Sequence, residues 1–162
     1  MNVGRKLVGR PVILQETGAK VGRIKDVIYD PNERRILGLK VEQDGLWPRV
    51  VLVPWYLVRV DNDAVLVESD NISEARLGTE ASAISELVGA PVVTETGQQV
   101  GNVADVVFTK SWDKVEGVEL SEGVIPDFID GRNIVLQDNI VAWGKDGIVV
   151  HGALVPEQEE KR

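Results

Sequence analysis

Two aspartates stand at the same place in two related stretches of this 162-residue chain, and they are the first candidates for chemistry. Asp26 and Asp105 each end a Val-Gly-x-x-x-Asp pattern that recurs about 80 residues further along. Two carboxylates could serve as a general acid and a general base. Each, however, lies in its own copy, at the same position inside a predicted strand. This placement favours a structural role, in which the carboxylate accepts backbone N–H groups at a bend.

The other chemistry-bearing residues lack the partners that a reaction needs. His151 is the only histidine and the chain has no cysteine, so neither a catalytic dyad nor a thiolate metal site is indicated. The serines lie mostly in predicted loops without a nucleophile-elbow context. The loop pairs Asp61/Asp63 and Asp127/Asp130 lack the spacing of an EF-hand. We therefore predict a non-enzymatic protein with no cofactor, no metal site and His151 at the surface or satisfied by a neighbour.

The elements that carry the two aspartates form a long repeat. Leu7–Ile28 and Leu87–Val107 share a Leu-Val-Gly-x-Pro start, a Glu-Thr-Gly turn and the aspartate pattern. Two copies of one small domain are predicted, and a domain of this size buries only about 60% of its unfolded surface, so the copies should pack together. The predicted boundaries are a first barrel over 1–69, a partly helical linker over 70–84, a second barrel over 85–154 and a polar tail over 155–162.

Short runs of valine, isoleucine and leucine, broken by glycine, aspartate and asparagine, predict strands in both copies. Alternation along two of them directs Leu37, Leu39 and Val41 inward in the first copy and Val118 and Leu120 inward in the second. The fold class predicted is all-β, with two tandem small antiparallel β-barrels. The predicted strands are Pro11–Leu14, Val21–Tyr29, Ile36–Glu42, Arg49–Val53, Leu57–Val60 and Ala64–Val67, then Pro91–Thr94, Val100–Phe108, Val115–Leu120, Asn133–Leu136, Ile140–Trp143 and Ile148–Val150.

Repeated glycines mark the turns and bends of these barrels. Gly18 and Gly97 suit hairpin turns, where a positive φ is needed. Gly22 and Gly101 follow a valine at the start of the longest strand, where a glycine indicates a bulge or a sharp bend. These four glycines and the two aspartates are therefore assigned structural roles.

The repeated pattern resembles the PRC-barrel family, the β-barrel of the cytoplasmic part of the photosynthetic reaction-centre H subunit and of the C-terminal domain of RimM-type ribosome maturation factors. The resemblance covers nearly the whole chain and implies an interaction module without common catalytic residues. The second copy departs from it: Leu136-Gln137-Asp138 stands where Val53-Pro54-Trp55 should recur. The matching positions are Leu7, Gly9, Val12, Gly18, Val21, Gly22, Ile24, Asp26, Gly38 and Val53-Pro54-Trp55, then Leu87, Gly89, Val92, Gly97, Val100, Gly101, Val103, Asp105 and Gly117.

Candidate partner-binding residues lie in two kinds of loop. Trp47 and Trp112 are predicted in surface connections, where a tryptophan either anchors a partner or folds back over the barrel mouth. The loop Ser121–Arg132 has no counterpart of equal length in the first copy and carries apolar side chains that something must cover: the other barrel, a second chain in a homodimer, or a separate protein. These side chains are Val124, Ile125, Phe128 and Ile129.

Charge separates the two copies and leaves a second function open. The net charge is −8, and residues 1–78 carry 12 basic and 11 acidic residues, against 6 and 15 in residues 79–162. We expect a protein-interaction or adaptor module; the alternative is a ribosome- or RNA-associated assembly factor that binds phosphates through the basic cluster of the first copy. The sequence has no apolar run of about 18 residues, so no membrane span is predicted. We expect a cytoplasmic protein. The basic cluster comprises Arg5, Lys6, Arg10, Lys20, Arg23, Lys25, Arg34 and Arg35.

Overall fold

The computed structural model describes residues 1–68, 81–121, 128–129 and 132–152. Short single-turn 3-10 helices at Gly4–Lys6, Trp55–Leu57 and Gln137–Asn139 join some of the strands. The first repeat contains β1 (Asn2–Val3), β2 (Pro11–Leu14), β3 (Lys20–Asp30), β4 (Arg35–Glu42), β5 (Val50–Pro54), β6 (Val58–Val60) and β7 (Val65–Val67). The second contains β8 (Ser82–Ala83), helix α1 (Ile84–Leu87), β9 (Pro91–Thr94), β10 (Gln99–Phe108), β11 (Val115–Ser121), β12 (Phe128–Ile129), β13 (Arg132–Leu136), β14 (Ile140–Trp143) and β15 (Ile148–Val150).

Each repeat forms one curled sheet, and the two sheets have the same strand order except for one additional edge strand in the second. The first runs β5-β4-β3-β2-β7-β6, and the second runs β12-β13-β11-β10-β9-β15-β14. The prediction of an all-β fold with two tandem barrels is confirmed. The expectation of wholly antiparallel pairing needs one correction, because β2 pairs with β7, and β9 with β15, in parallel. The β6–β7 hairpin pairs with β2, and the β14–β15 hairpin pairs with β9. This pairing curls each sheet.

Bulges shape the long strands. In the pairing of β3 with β4, Ile24 opposes Val41 and Asp26 opposes Lys40, so Lys25 is skipped. A second register shift skips Leu37 in β4. The bulge reverses the side-chain alternation there, and the prediction that Leu37 faces inward is wrong: its neighbour Ile36 is buried and Leu37 is only half-buried. The predicted inward residues of β11 are buried.

The N-terminal strand of each repeat pairs with the sheet of the other repeat. Strand β1 is antiparallel to β10, with Val3 opposite Val107, and β8 is antiparallel to β3, with Ala83 opposite Ile28. The structure thus differs from the predicted linker over 70–84, because Ser82–Ala83 within it form a strand of the first barrel's sheet. The exchange is reciprocal, as in an isologous dimer interface built within one chain.

One hydrophobic core runs through both barrels. Its buried members include Leu7 and Val12 from the first repeat together with their counterparts Leu87 and Val92 from the second. A small second cluster, centred on Val3 and two residues of the second barrel, lies beneath β1. A domain of about 70 residues buries too little surface to be stable by itself. The shared core overcomes this limit, because each repeat buries further apolar side chains against the other.

Candidate partner-binding site

Asp105 fastens the N-terminal segment of the chain to the second barrel. The carboxylate is 2% exposed. Its Oδ1 accepts the backbone N–H of Gly4 at 3.1 Å and of Val106 at 2.8 Å, and its Oδ2 accepts the backbone N–H of Arg5 at 2.9 Å. The Arg5 guanidinium also lies 3.4 Å from Oδ2 and 2.6 Å from Glu119. Asp105 is therefore a clamp between the repeats.

Asp26 plays the matching part in the first barrel. Its Oδ1 accepts the backbone N–H of Val27 at 2.9 Å and of Ser85 at 3.3 Å, and its Oδ2 accepts the Ser85 hydroxyl. Ser85 lies in α1, directly after the strand that crosses to the first barrel. Each aspartate thus accepts N–H groups just after a bulge, and three of these five backbone donors belong to the other repeat.

Burial sets the electrostatics of this clamp. Desolvation raises the pKa of Asp105 above its ordinary value of 3.8, and the backbone N–H donors and the Arg5 charge oppose that rise. The pKa of Arg5 is raised in turn, chiefly by its hydrogen bond to Glu119. Because its oxygens are occupied by backbone and guanidinium donors, Asp105 is arranged to hold a segment and not to exchange protons with a substrate.

The repeated glycines lie where backbone geometry requires them. Gly18 and Gly97 have φ values of 71° and 87° in the hairpin turns before β3 and β10. A Cβ on Gly22 would lie 2.1 Å from the Glu42 carbonyl oxygen, so β3 and the end of β4 could not approach as they do. Gly101 follows a register shift in the pairing of β10 with β9.

The tryptophans separate into buried and exposed side chains. Trp112 is 6% exposed, with its ring centroid 5.5 Å from that of Phe108. Of the two alternatives predicted for Trp112, the structure has the second: the turn has a φ of 64° at this residue and the indole folds back onto the barrel. Trp143 packs edge-on against Tyr29 of the other repeat and donates its Nε1–H to the tyrosine hydroxyl at 3.2 Å. Trp47 is 88% exposed.

A set of exposed apolar side chains lies on β5 and in the chain immediately before and after it. We call it the edge patch and define it as Leu46, Trp47, Val50 and Tyr56, which are 95%, 88%, 49% and 80% exposed. Three of the four were missed from the sequence. The signal that could have found Tyr56 is its place next to Trp55 in a single helical turn, because adjacent side chains there cannot both face the barrel. Trp55 is the one that packs on the core.

The equivalent edge of the second barrel is covered. There β13 has β11 on one side and β12 on the other, with Phe128 opposite Asn133 and Ile129 opposite Arg132. Among the described residues no strand pairs with the outer side of β5. Of the predicted binding loop, Val124 and Ile125 lie outside the described residues, and Phe128 and Ile129 are the two residues of β12.

Sheet register also corrects one sequence alignment between the repeats. Gly38 lies opposite Pro54 in the first barrel, and the equivalent Gly117 lies opposite Leu136 in the second. The counterpart of Val53-Pro54-Trp55 is therefore Val135-Leu136-Gln137, one residue earlier than predicted. Gln137 replaces the tryptophan, and its buried Oε1 accepts no hydrogen bond from the described residues.

Most of the basic cluster is engaged in ion pairs. Lys6 donates to Asn2 and Arg23 donates to the Gly9 carbonyl. His151, the lone histidine, contacts Glu95 at 3.0 Å at the surface. The ion pairs that members of the basic cluster form with acidic residues are Arg5 with Asp105 and Glu119, Lys20 with Asp44, Lys25 with Glu42, Arg34 with Asp138 and Arg35 with Glu33.

The described residues offer little for a small ligand. A cleft with a volume of about 10 Å³ lies between the repeats beside Tyr29, Glu86 and Lys145, far below the volume of ordinary ligand pockets. No group of three or more metal-ligating side chains occurs within the described ranges. Among these residues, no helix has the length and apolar character that crossing a membrane requires.

Comparison with known proteins agrees with the geometry. An uncharacterized protein of Methanocaldococcus jannaschii is 28% identical over 78 residues, which are 44% of this chain and 88% of that protein. A ribosome maturation factor RimM of Clostridium botulinum is 25% identical over 108 residues, 67% of this chain and 66% of that protein. The family model for the PRC-barrel domain matches residues 3–72 and again residues 79–153. With two curled sheets matched by these two domains, the chain belongs to the PRC-barrel family.

Proposed function

We propose that this protein is a non-enzymatic protein-interaction module that binds through the first barrel. The edge patch is the observation that carries the proposal. It joins three large, highly exposed apolar side chains to an open strand edge, whereas the second barrel covers the same edge with β12. Apolar surfaces of this kind mark interaction sites, and exposed tryptophan and tyrosine are the residues that contribute most at such sites.

The rigidity of the scaffold supports this role. The barrels share one core and exchange their N-terminal strands, so a partner bound at β5 would meet a surface that is already ordered. A preorganised surface loses less conformational entropy on binding than a flexible one. The adaptor role follows if one face of this scaffold holds a partner while the acidic second repeat remains accessible.

Affinity capture with matched variants tests the proposal. The full-length protein is used as bait beside a Trp47→Ser/Tyr56→Ser double variant, with Val88→Ser/Val141→Ser as the control, because these valines are each 48% exposed but lie away from β5. We expect the patch variant to lose at least tenfold of specifically captured protein while the control retains it. Equal capture by all three baits would refute binding through the edge patch.

The long loop of the second repeat remains a predicted second surface. Ile125 and Phe128 are the residues to change, since the sequence places both among the carboxylates of the segment Ser121–Arg132. If the loop binds a partner, Ile125→Ser/Phe128→Ser should abolish capture with the free energy of unfolding unchanged. Unaltered capture would remove the loop from the interaction surface.

A ribosome- or RNA-associated assembly function is the second candidate. Its support is the 25% identity with a protein named as a ribosome maturation factor, together with the basic residues of the first repeat. Co-sedimentation with purified ribosomal subunits at 50 and 200 mM salt tests it. Binding through phosphates should weaken steeply with salt, and Arg10→Ala/Arg23→Ala should reduce the slope. Absence from the subunit fractions at low salt would exclude this function, and cell fractionation would test the cytoplasmic location that it implies.

A further inference from the structure

We propose that the edge patch binds a second copy of this chain, with β5 of one copy antiparallel to β5 of the other about a two-fold axis. The inference rests on the proposed function, because it names the partner of the same surface. The resulting dimer is isologous: each copy presents the same edge, and every contact occurs twice.

The backbone of β5 offers hydrogen-bonding groups at alternate residues. The Gln43 N–H donates to the Arg49 carbonyl at 2.8 Å, which identifies this pair as hydrogen-bonded. Alternation along an antiparallel ladder then directs the N–H and C=O groups of Val51 and Val53 towards β4. Those of Val50 and Leu52 point to the open edge.

Two prolines limit what can be added to this edge. Pro48 and Pro54 occupy the next positions of the same alternation, and neither has an N–H to donate. The donors at the edge are therefore those of Val50 and Leu52. Two β5 strands satisfy them fully when Val50 of one copy opposes Leu52 of the other, because this register forms four reciprocal hydrogen bonds and places Val51 on the two-fold axis.

The same register brings the apolar side chains together. Counted outward from Val51, the loop that carries Leu46 and Trp47 in one copy falls beside the turn that carries Tyr56 in the other. Val50 pairs across the strands with Leu52 on the outer face. Arg49 falls opposite Val53, so the two equivalent arginines do not face each other. The edge is thus complementary to itself in its backbone donors and acceptors, and the register sets apolar side chains beside apolar side chains.

The exposed side chains of the edge patch supply an area near the lower limit for a specific dimer. At the exposures found, Trp47 and Tyr56 present roughly 300–400 Å². If Leu46 and Val50 are covered completely as well, each copy contributes about 500 Å² of side-chain area and the pair buries about 1,000 Å² at most before any backbone is counted. That total reaches the lower limit of specific interfaces. The second barrel shows that an antiparallel strand is the natural cover for this edge, because β12 lies on its own copy of it.

Light scattering coupled to size exclusion, over a range of protein concentrations, tests the dimer in the full-length chain. We expect a dimer whose dissociation constant rises at least tenfold in Trp47→Ser/Tyr56→Ser and also in Val50→Pro, which removes one outward donor at the first residue of the strand. Val50→Lys keeps the backbone and repeats the test if the proline variant unfolds. Val88→Ser/Val141→Ser should leave the dimer intact.

A cross-link tests the register itself. The chain has no cysteine, and a non-hydrogen-bonded antiparallel pair has a Cα separation of about 4.5 Å, which suits a disulfide. Val51→Cys should therefore form a covalent dimer on mild oxidation, whereas Val141→Cys should not. A monomer at all concentrations, or a dimer unaffected by the β5 variants, would overturn the inference. If the monomer still captures a protein in a Trp47-dependent way, the proposed function stands and only its partner is wrong.

Discussion

Replacing Asp105 by alanine tests whether the exchanged N-terminal segment is held by this carboxylate. The change removes the acceptor of three backbone N–H groups, those of Gly4, Arg5 and Val106, of which the first and last are buried. A buried donor that loses its partner costs about 1–3 kcal/mol. The Arg5 side chain is half exposed, so the loss of its ion pair adds little.

These contributions predict that Asp105→Ala lowers the free energy of unfolding by about 2–4 kcal/mol. Urea denaturation followed by tryptophan fluorescence measures this change, and Asp63→Ala, at an exposed loop, is the control. Hydrogen exchange should also show faster exchange at Val3–Arg5 in the Asp105 variant. A loss below about 0.5 kcal/mol, or unchanged protection of that segment, would refute the clamp.

The raised pKa of Asp105 also predicts how the contribution of this residue to stability changes with pH. Because burial raises the folded-state pKa above 3.8, the contribution of this group to stability is complete below that value and falls as pH rises through the folded-state pKa. Asp105→Asn does not titrate. The stability difference between wild type and Asp105→Asn should therefore be larger in acid than at neutral pH, and the opposite trend would contradict the desolvation argument.

Three further changes probe packing. Gly117→Ala would place a Cβ 2.0 Å from a carbonyl oxygen of β13 and should cost about 2–3 kcal/mol in urea denaturation, whereas Gly152→Ala, with open space around it, should be neutral. Burial raises the pKa of Tyr29 to about 12, so the free energy of unfolding should fall between about pH 10 and 12. Tyr29→Phe should abolish this fall, and its ultraviolet titration should lack the late ionisation of that phenol. Trp112→Ala should cost about 3–5 kcal/mol and Trp47→Ala under 0.5, a contrast that thermal denaturation measures.

Most strands could be predicted from the sequence because both repeats carry the same alternation and turn residues. Every predicted strand is present within one or two residues of its predicted ends. The strands that were missed, β1, β8 and β12, have two residues each, too few for a period to be visible. Strict alternation of inward and outward side chains also cannot reveal a bulge. The bulge at Leu37 is therefore the reason why this residue was assigned to the wrong face.

The role of the repeated aspartates was predictable only in part. A carboxylate recurring inside a strand indicates backbone hydrogen bonds, and both Asp26 and Asp105 accept them. That three of the five backbone N–H donors come from the other repeat could not be deduced, because the exchange of β1 and β8 depends on three-dimensional pairing. Trp112 and Trp47 differ for a related reason: Trp112 lies in the β10–β11 turn, which corresponds to the β3–β4 turn, whereas Trp47 lies in the β4–β5 loop.

The repeat and its departures therefore divide the molecule into an inner and an outer part. What the copies share lies at their junction, where reciprocal strands and aspartates make two marginal barrels into one folded unit. What they do not share lies at the outer edge: β12 covers β13, whereas β5 keeps its outward groups between two prolines. Had both edges been open, each chain could have joined two neighbours and grown into a filament. With one edge covered and the equivalent one open, the proposed β5-to-β5 association would stop at two copies, so the proposed function depends on the asymmetry between the repeats and not on the repeat itself.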